Sequence, residues 1–383
     1  MTAPNVPPAA TIDGDELLTR VRDWLGTYIS TVSDSDLDLL TLWAVHTHLV
    51  METYTTPRLQ IDSPVPESGK TTVIEHLERL CRRSIQMATI SSPAMLTRML
   101  DKEIRTILID EADRALDPKK EGIADTIAVL NSGYKRGGTR PVLVPVKGGG
   151  WDVKEMPTFS PVALAGNNPT LPDDTKSRII RVLLMPDHSG LIEESDWEKI
   201  EDEARALHDD IAVWADRVRD QVKQHSPDLP DGITGRFREK WAPLKRVADV
   251  AGGEWPKRTD VMALNDKKEW EMDREDGLLR EAPAVALLRH IQEVWPPNQD
   301  RSANADFVPS KELISKLVTG YPEMWGPMNP SGNGVLTAKR LGAMLAKAYK
   351  IHSVQPDRGG PRGYHLASFL RPWHRMGMTL PSK

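Results

Sequence analysis

A single cysteine, Cys81, stands in the 383 residues. That excludes a disulfide framework and a cysteine-rich zinc site, and it suits a reducing cytoplasm. Long apolar runs are missing as well: nothing approaches the roughly eighteen residues that mark a membrane-spanning helix. The formal net charge is only −5, so the surface as a whole is not coated with basic groups. What is present is the composition of a folded protein, 39% hydrophobic and 27% charged, with length for two or three domains. Residues 1–13 are rich in Pro and Ala, carry neither a cationic leader nor an apolar run, and read as a disordered tail.

Leu59-Gln60-Ile61-Asp62 reads as a strand running into the loop Ser63-Pro64-Val65-Pro66-Glu67-Ser68-Gly69-Lys70-Thr71-Thr72. A triphosphate needs backbone N–H groups turned inward, a helix N-terminus behind them and a cation that reaches its outer phosphates. Lys70 is that cation in this reading, Thr71 Oγ holds Mg2+, and Gly69 lets the backbone come close. Ser63, Pro66, Glu67, Ser68 and Thr72 complete the ATP-binding loop. Ser63 stands where the pattern G-x-x-x-x-G-K-[ST] has its first glycine, so the pattern is missed by one residue. Further along, Thr106-Ile107-Leu108-Ile109 reads as a buried parallel strand, with Asp110-Glu111 at its carboxyl end, where open α/β sheets bind ligands. Asp110 is expected to hold Mg2+ through water, and Glu111 to orient or deprotonate the attacking water.

Around this pair the pattern alternates. Helix 70–83, strand 85–90, helix 93–100, helix 122–135 and strands 161–166 and 179–184 predict an α/β fold of the P-loop NTPase, AAA+-like type, with a doubly wound parallel sheet. Asn167-Asn168, directly after the strand ending at Gly166, occupies the sensor position of AAA+ ATPases. A plain turn before Pro169 is the alternative. Arg178, just before the last strand, is the candidate arginine finger for a neighbouring subunit's nucleotide; Arg181, inside that strand, is the second choice and reads as structural. Residues 140–160 alternate on both sides of Gly148-Gly149-Gly150 and read as a β-hairpin with Lys147 and Trp151 flanking its tip. A cation beside an aromatic suits single-stranded DNA, and Lys135, Arg136 and Arg140 add charge at the base.

Residues 14–55 read as a small helical element broken at 31–36. His46 and His48 within it are two apart, so they do not share a helix face and do not make a metal pair. Asp34, Asp36 and Asp38 read as capping and first-turn carboxylates. Beyond the nucleotide domain at 56–186, residues 187–275 read as a helical lid. Arg236 or Arg238 is its candidate second phosphate sensor. Residues 276–371 show helices 277–294, 310–318 and 337–350 followed by a two-stranded ribbon, 351–355 and 364–369, the order of a winged helix. Residues 372–383 read as a basic tail. From Val335 to Lys383 there are nine Lys/Arg against Asp357 alone. Lys339 and Arg340 on the third helix, with Arg358 and Arg362 on the wing, are the candidates for duplex DNA. Trp295 and Trp325 read as core.

Several stretches together resemble one family. They are His46-Thr47-His48, Thr55-Thr56-Pro57-Arg58-Leu59, the loop to Thr72, Asp110-Glu111-Ala112-Asp113, Leu130-Asn131-Ser132-Gly133-Tyr134-Lys135-Arg136-Gly137, Ala163-Leu164-Ala165-Gly166, Trp241-Ala242-Pro243-Leu244, Ala248-Asp249, Ala251-Gly252-Gly253, Trp255-Pro256 and Arg362-Gly363-Tyr364. The chain, from about Gly14 to Arg371, is similar to a helicase-like P-loop family with a C-terminal domain of unknown function, found in actinobacteria and in their phages and mobile elements. Ser63 to Ser68 and Asn167-Asn168-Pro169 depart from the glycine-richer turns of its members, which bears on the rate of hydrolysis more than on binding. The resulting expectation is an ATP- and Mg2+-dependent ring motor on DNA, a replicative helicase or helicase loader acting as a homo-oligomer such as a hexamer. An ATP-gated DNA-binding switch or adaptor is the alternative, and a regulator of host proteins the third reading.

Overall fold

A computed structural model of the chain describes residues 12–88, 92–117, 119–120, 122–167, 169, 171–187, 190–275, 282–296, 306–327, 334–356 and 358–378. Two compact units divide it, the first ending at Trp270 and the second beginning at Glu271.

The first unit opens with α1 (Gly14–Tyr28) and α2 (Asp34–His48), then β1 (Arg58–Asp62), α3 (Lys70–Leu80), β2 (Ser84–Met87), α4 (Pro93–Lys102), β3 (Thr106–Ile109), α5 (Ala112–Ala115) and α6 (Ile123–Ser132). There follow β4 (Thr139–Pro145), β5 (Trp151–Pro157), β6 (Val162–Gly166), α7 (Asp173–Lys176), β7 (Ile179–Leu183), α8 (Trp197–Gln224), α9 (Gly235–Ala251) and α10 (Trp255–Glu275). Among the described residues β2, β3, β6, β1 and β7 lie in that order in one sheet, and every pair is parallel. The sheet is α/β with helices on both faces, as its alternating pattern predicts. Alternation within β1 sends Leu59 and Ile61 into a core with Val73, Ile74 and Leu77 of α3, while Ile107 and Ile109 of β3 join Leu96, Leu130 and Leu164 on the other face. Each such fully buried side chain stabilises the fold by roughly 1.5–3 kcal/mol.

Helix starts follow local chemistry. Asp13 caps α1, its carboxylate accepting the Glu16 N–H at 3.0 Å, so the expected tail stops short of residue 13. Residues 1–11 of that tail lie outside the described residues. Ser33 caps α2 and places Asp34 and Asp36 in its first turn. Asp38 is buried and pairs with Arg22 at 2.6 Å and Arg258 at 3.1 Å. His46 and His48 point to separate partners: His46 Nε2 lies 3.1 Å from Thr56 Oγ1, and His48 Nε2 lies 2.9 Å from the Leu80 carbonyl. Among the described residues no group of three or more His, Cys, Asp or Glu is placed to hold a metal ion. Nor is any helix there long and apolar enough to cross a membrane.

Helix α10 lies within residues 187–275, which read as helical, but the sequence reading drew no separate helix there because its apolar positions show weak helical periodicity. Trp255, Met262 and Ala263 pack it into the core, and ion pairs to buried lysines of α9 are added to that. Lys240 and Lys245 of α9 are each 5% exposed; Lys240 pairs with Asp266 at 2.7 Å and Lys245 with Asp260 at 2.7 Å. Trp241 Nε1 donates to the same oxygen, Asp266 Oδ2, at 2.7 Å, and Lys240 also reaches Oδ1 at 3.0 Å.

The second unit contains α11 (Pro283–Val294), β8 (Phe307–Pro309), α12 (Ser310–Gly320), α13 (Pro322–Trp325), α14 (Ala338–Tyr349), β9 (Gly363–His365) and α15 (Ala367–Arg375). The first helix starts at Pro283; the expected start at 277 falls outside the described residues. The expected ribbon is corrected. β9 pairs with β8, and among the described residues 351–355 contributes only the bridge from Val354 to Gly363, one residue ahead of 364–369. Past His365 the chain turns helical because Phe369 and Trp373, one turn apart, both enter the core against Trp295. Residues 372–375 are therefore the end of a packed helix and not part of a tail, while 379–383 lie outside the described residues. Trp325 is fully buried and Trp295 is 6% exposed, both core.

Candidate nucleotide-binding site

At the carboxyl ends of β1, β3 and β6, three neighbours in the sheet, lies a cleft of about 610 Å³. Pro66 to Thr72, Asp110, Glu111, Asp113, Arg114, Gly166 and Asn167 line it. The loop, the acidic pair and the amide that sequence placed far apart are thus brought to one place.

The loop gets its shape from two left-handed residues, Glu67 at φ +58° and Gly69 at φ +84°. Such alternation turns successive N–H groups into a concavity for an anion, with the N-terminus of α3 behind it. Ser63 makes a different turn. Its hydroxyl donates to the Val65 carbonyl at 2.9 Å and accepts the Val65 N–H at 3.2 Å, it is fully buried, and it does not line the cleft. Its backbone does not need a glycine, since the strain of the loop sits at Glu67. This corrects the direct nucleotide contact expected of Ser63. Lys70 Nζ spans the loop, donating to Ser68 Oγ at 2.8 Å and to the Val65 carbonyl at 3.2 Å. Burial holds its pKa below the ordinary lysine value, and the nearby charges of Asp62, Asp113 and Asp110 pull the other way.

Thr71 Oγ1 donates to Asp110 Oδ2 at 3.2 Å, and Asp110 Oδ1 accepts the Glu111 N–H at 2.8 Å. A hydroxyl and a carboxylate side by side in such a cleft are the hard oxygen donors that suit Mg2+, which takes one or two carboxylates and leaves other positions to water and phosphate. Glu111 has φ +50°, uncommon for a side-chain-bearing residue, and pairs with Arg114 at 3.1 Å. Both side chains are more than half exposed, so the pair is worth at most about 1 kcal/mol and does not tie Glu111 down. Asp113 and Arg114 carry no assigned role in the sequence reading, although Asp113 stands inside a quoted stretch. Asp113 Oδ1 accepts the Asn167 N–H at 3.2 Å, and a Cβ added at Gly166 would stand 2.8 Å from that same oxygen. Asn167 therefore reaches the cleft because its strand ends in glycine beside Asp113. Asn168 lies outside the described residues.

Arg178 and Arg236 lie elsewhere. The Arg58 N–H donates to the Arg178 carbonyl at 3.0 Å, which sets Arg178 level with the first residue of β1. The loop follows the last residue of β1, roughly 13 Å along the strand. The guanidinium of Arg178 stands 5.8 Å from the centre of the Tyr134 ring and that of Arg236 6.0 Å from it. Arg178 also pairs with Asp174 at 3.4 Å, and Arg236 with Glu239 at 2.6 Å. Arg236 is thus corrected: it stands with Arg178 at the amino edge of the sheet, not over the chain's own phosphate loop. Arg181 binds Asp62 at 2.8 Å, tying β7 to β1.

The β4–β5 ribbon is a separate two-stranded sheet. One face packs Val142 and Met156 inward; the other presents Leu143, Val153 and Trp151, which are 56%, 60% and 68% exposed. Lys147 is exposed at a tip whose three glycines all have positive φ. The base cations are occupied, Arg140 by Asp125 and Lys135 by Glu239. In the second unit Lys339 and Arg358 are exposed; Arg340 donates to the Gly334 carbonyl and Arg362 to Ser353.

A parallel five-stranded α/β sheet with an anion cradle and an acidic pair at its carboxyl edge defines the class. Comparison with known proteins adds the following. Residues 191–376 match the model of a family described as Protein of unknown function (DUF3631), a narrower span than Gly14 to Arg371. The chain is 29% identical over 173 residues to an uncharacterized 28.9 kDa protein in the xis 5' region of Saccharopolyspora erythraea, covering 44% of this chain and 59% of that protein. Among solved structures, the NrS-1 C-terminal region is 13% identical, with 94% of this chain and 77% of that one covered and a TM-score of 0.38. The Thermotoga maritima RuvB Holliday junction branch migration motor is 12% identical (92% and 96% covered, TM-score 0.26). The JCV helicase is 14% identical (65% and 69% covered, TM-score 0.26). At these TM-scores the functional reading rests on the site's own geometry.

Proposed function

We propose that this chain binds ATP with Mg2+, hydrolyses it, and couples the reaction to movement on DNA as a homo-oligomeric ring. The observation that carries the reading is the meeting, in one cleft, of the Glu67–Thr71 cradle, the Thr71–Asp110 pair, Glu111 and Asn167. The loop N–H groups and Lys70 bind the phosphates. Thr71 and Asp110 would hold Mg2+, which neutralises phosphate charge when bound. Glu111 accepts a proton from, or orients, the attacking water, and Asn167 aligns it against the outer phosphate. Arg178, at the sheet edge away from its own loop, would act on a neighbouring subunit's nucleotide, with Arg236 beside it. Lys147 and Trp151 grip single-stranded DNA, and Lys339, Arg340, Arg358 and Arg362 of a winged-helix-like second unit meet duplex phosphates. A replicative helicase or helicase loader of a phage or mobile element fits this set.

ATPase activity with and without single-stranded DNA, alongside strand displacement, tests the reading. A motor is stimulated by the strand, and Lys147→Ala abolishes displacement while ATP binding persists. ATP-dependent DNA binding without displacement would identify the switch or adaptor instead. Absence of ATP binding by the intact chain sinks both.

A further inference from the structure

A second exposed aromatic stands outside both the cleft and the hairpin. Tyr54 is 64% exposed, and Met51 beside it is 42% exposed. The turn they occupy is held by arginines through its backbone. The Arg136 guanidinium donates to the carbonyls of Met51 and Thr53, its N–H to the Tyr54 carbonyl, and Arg246 to the Glu52 carbonyl at 3.2 Å. Carbonyls fix these side chains without cancelling their charge. The carboxylates nearby are already engaged: Glu52 by Arg219, and Glu239 by Lys135 and Arg236. Arg238 makes no side-chain hydrogen bond or ion pair among the described residues, and it and Arg136 both depress the pKa of Arg246, after burial. Two guanidiniums, Arg136 and Arg246, are therefore held by the backbone of the turn that carries the open Tyr54 side chain, and the exposed Arg238 adds a third charge that acts on Arg246.

We propose that Tyr54, Arg136, Arg238 and Arg246 form a binding surface for single-stranded nucleic acid, a base stacking on Tyr54 while phosphates lie on the arginines. Charge complementarity selects a polyanion, and the exposed ring selects one with unpaired bases. The surface shares with the motor reading only the class of partner, and it requires neither ATP hydrolysis nor the hairpin.

Fluorescence anisotropy of a labelled oligothymidylate with the full chain, without nucleotide and at low salt, tests it. Tyr54→Ala is expected to weaken binding at least about fivefold, with Tyr54→Phe close to wild type. Arg238→Ala is expected to reduce the slope of log affinity against log salt by about one. Unchanged affinity in Tyr54→Ala overturns the proposal, as does equal loss in Tyr54→Phe. Stronger competition by unlabelled duplex or by polyglutamate overturns it too, and would identify paired DNA or an acidic protein segment as the occupant. If Lys147→Ala weakens binding and Tyr54→Ala does not, the hairpin reading survives and this one falls. No binding by the wild-type chain ends both. Melting curves of the variants confirm that the fold is intact.

Discussion

Thr71 Oγ1 and Asp110 Oδ2 stand 3.2 Å apart across two strands that are not adjacent, since β6 runs between β1 and β3. The contact links the start of α3 to the acidic strand and sets the two oxygen donors side by side. The Glu111 carboxylate, one residue beyond, takes no part in it.

Glu111→Gln should therefore separate chemistry from binding. The amide keeps the shape but cannot take a proton, so turnover should fall by roughly 10²–10⁴ while nucleotide affinity stays near wild type. Single-turnover hydrolysis set against equilibrium titration with a fluorescent nucleotide checks this.

Gly166→Ala should disturb the site through Asp113. The new methyl would meet Asp113 Oδ1 at 2.8 Å and its backbone nitrogen at 3.0 Å, so Asp113 and Asn167 have to shift. A stability loss of about 1–3 kcal/mol by urea denaturation is expected, with a loss of turnover that exceeds the loss of ATP binding.

Asp266→Ala should be far more damaging to the fold. It would strand Lys240 without its carboxylate and Trp241 without its acceptor. Removing one partner of a buried pair costs roughly 3–5 kcal/mol, which a chemical denaturation curve would register.

Acid should weaken the fold through its buried histidines. Burial lowers the pKa of His46, His48 and His76 to about 3, against an ordinary value of 6.5. Their contribution is fully present above pH 6.5 and is lost progressively as pH falls toward 3, because the unfolded chain binds the extra protons. The slope is at most about 1.4 kcal/mol per pH unit for each histidine. His46→Gln should flatten the wild-type profile in that window. Asp36 has the opposite sign: burial raises it to about 7, so its penalty grows as pH rises from about 4 to 7, and Asp36→Asn should stabilise most at pH 8.

The sheet and its loop were legible because Leu59, Ile61 and Ile107 to Ile109 are apolar in runs that only a buried strand explains, and because Gly69-Lys70-Thr71 is a local signal. Ser63 misled for the same reason: a pattern names positions, whereas the backbone moved the strained residue to Glu67. Arg236 was misread because sequence cannot say which end of a sheet a helix reaches. Helix α10 was not drawn as a helix of its own because its buried stripe, Trp255, Thr259, Met262 and Ala263, is blurred by the exposed apolar residues Val261, Leu264, Trp270 and Met272. In the second unit Tyr364 to Phe369 has the composition of a strand, and only the burial of Phe369 with Trp373 reveals the turn into α15.

The β4–β5 ribbon shares no hydrogen-bonded ladder with the central sheet and is anchored at its flank by contacts such as Lys154–Asp101. Its inner residues Val142 and Met156 are buried, whereas its tip and outward residues meet neither the ladder of the central sheet nor the lining of the cleft. Under the proposed function, substitutions at those outward positions would alter the contact with DNA while leaving the residues of the cleft in place.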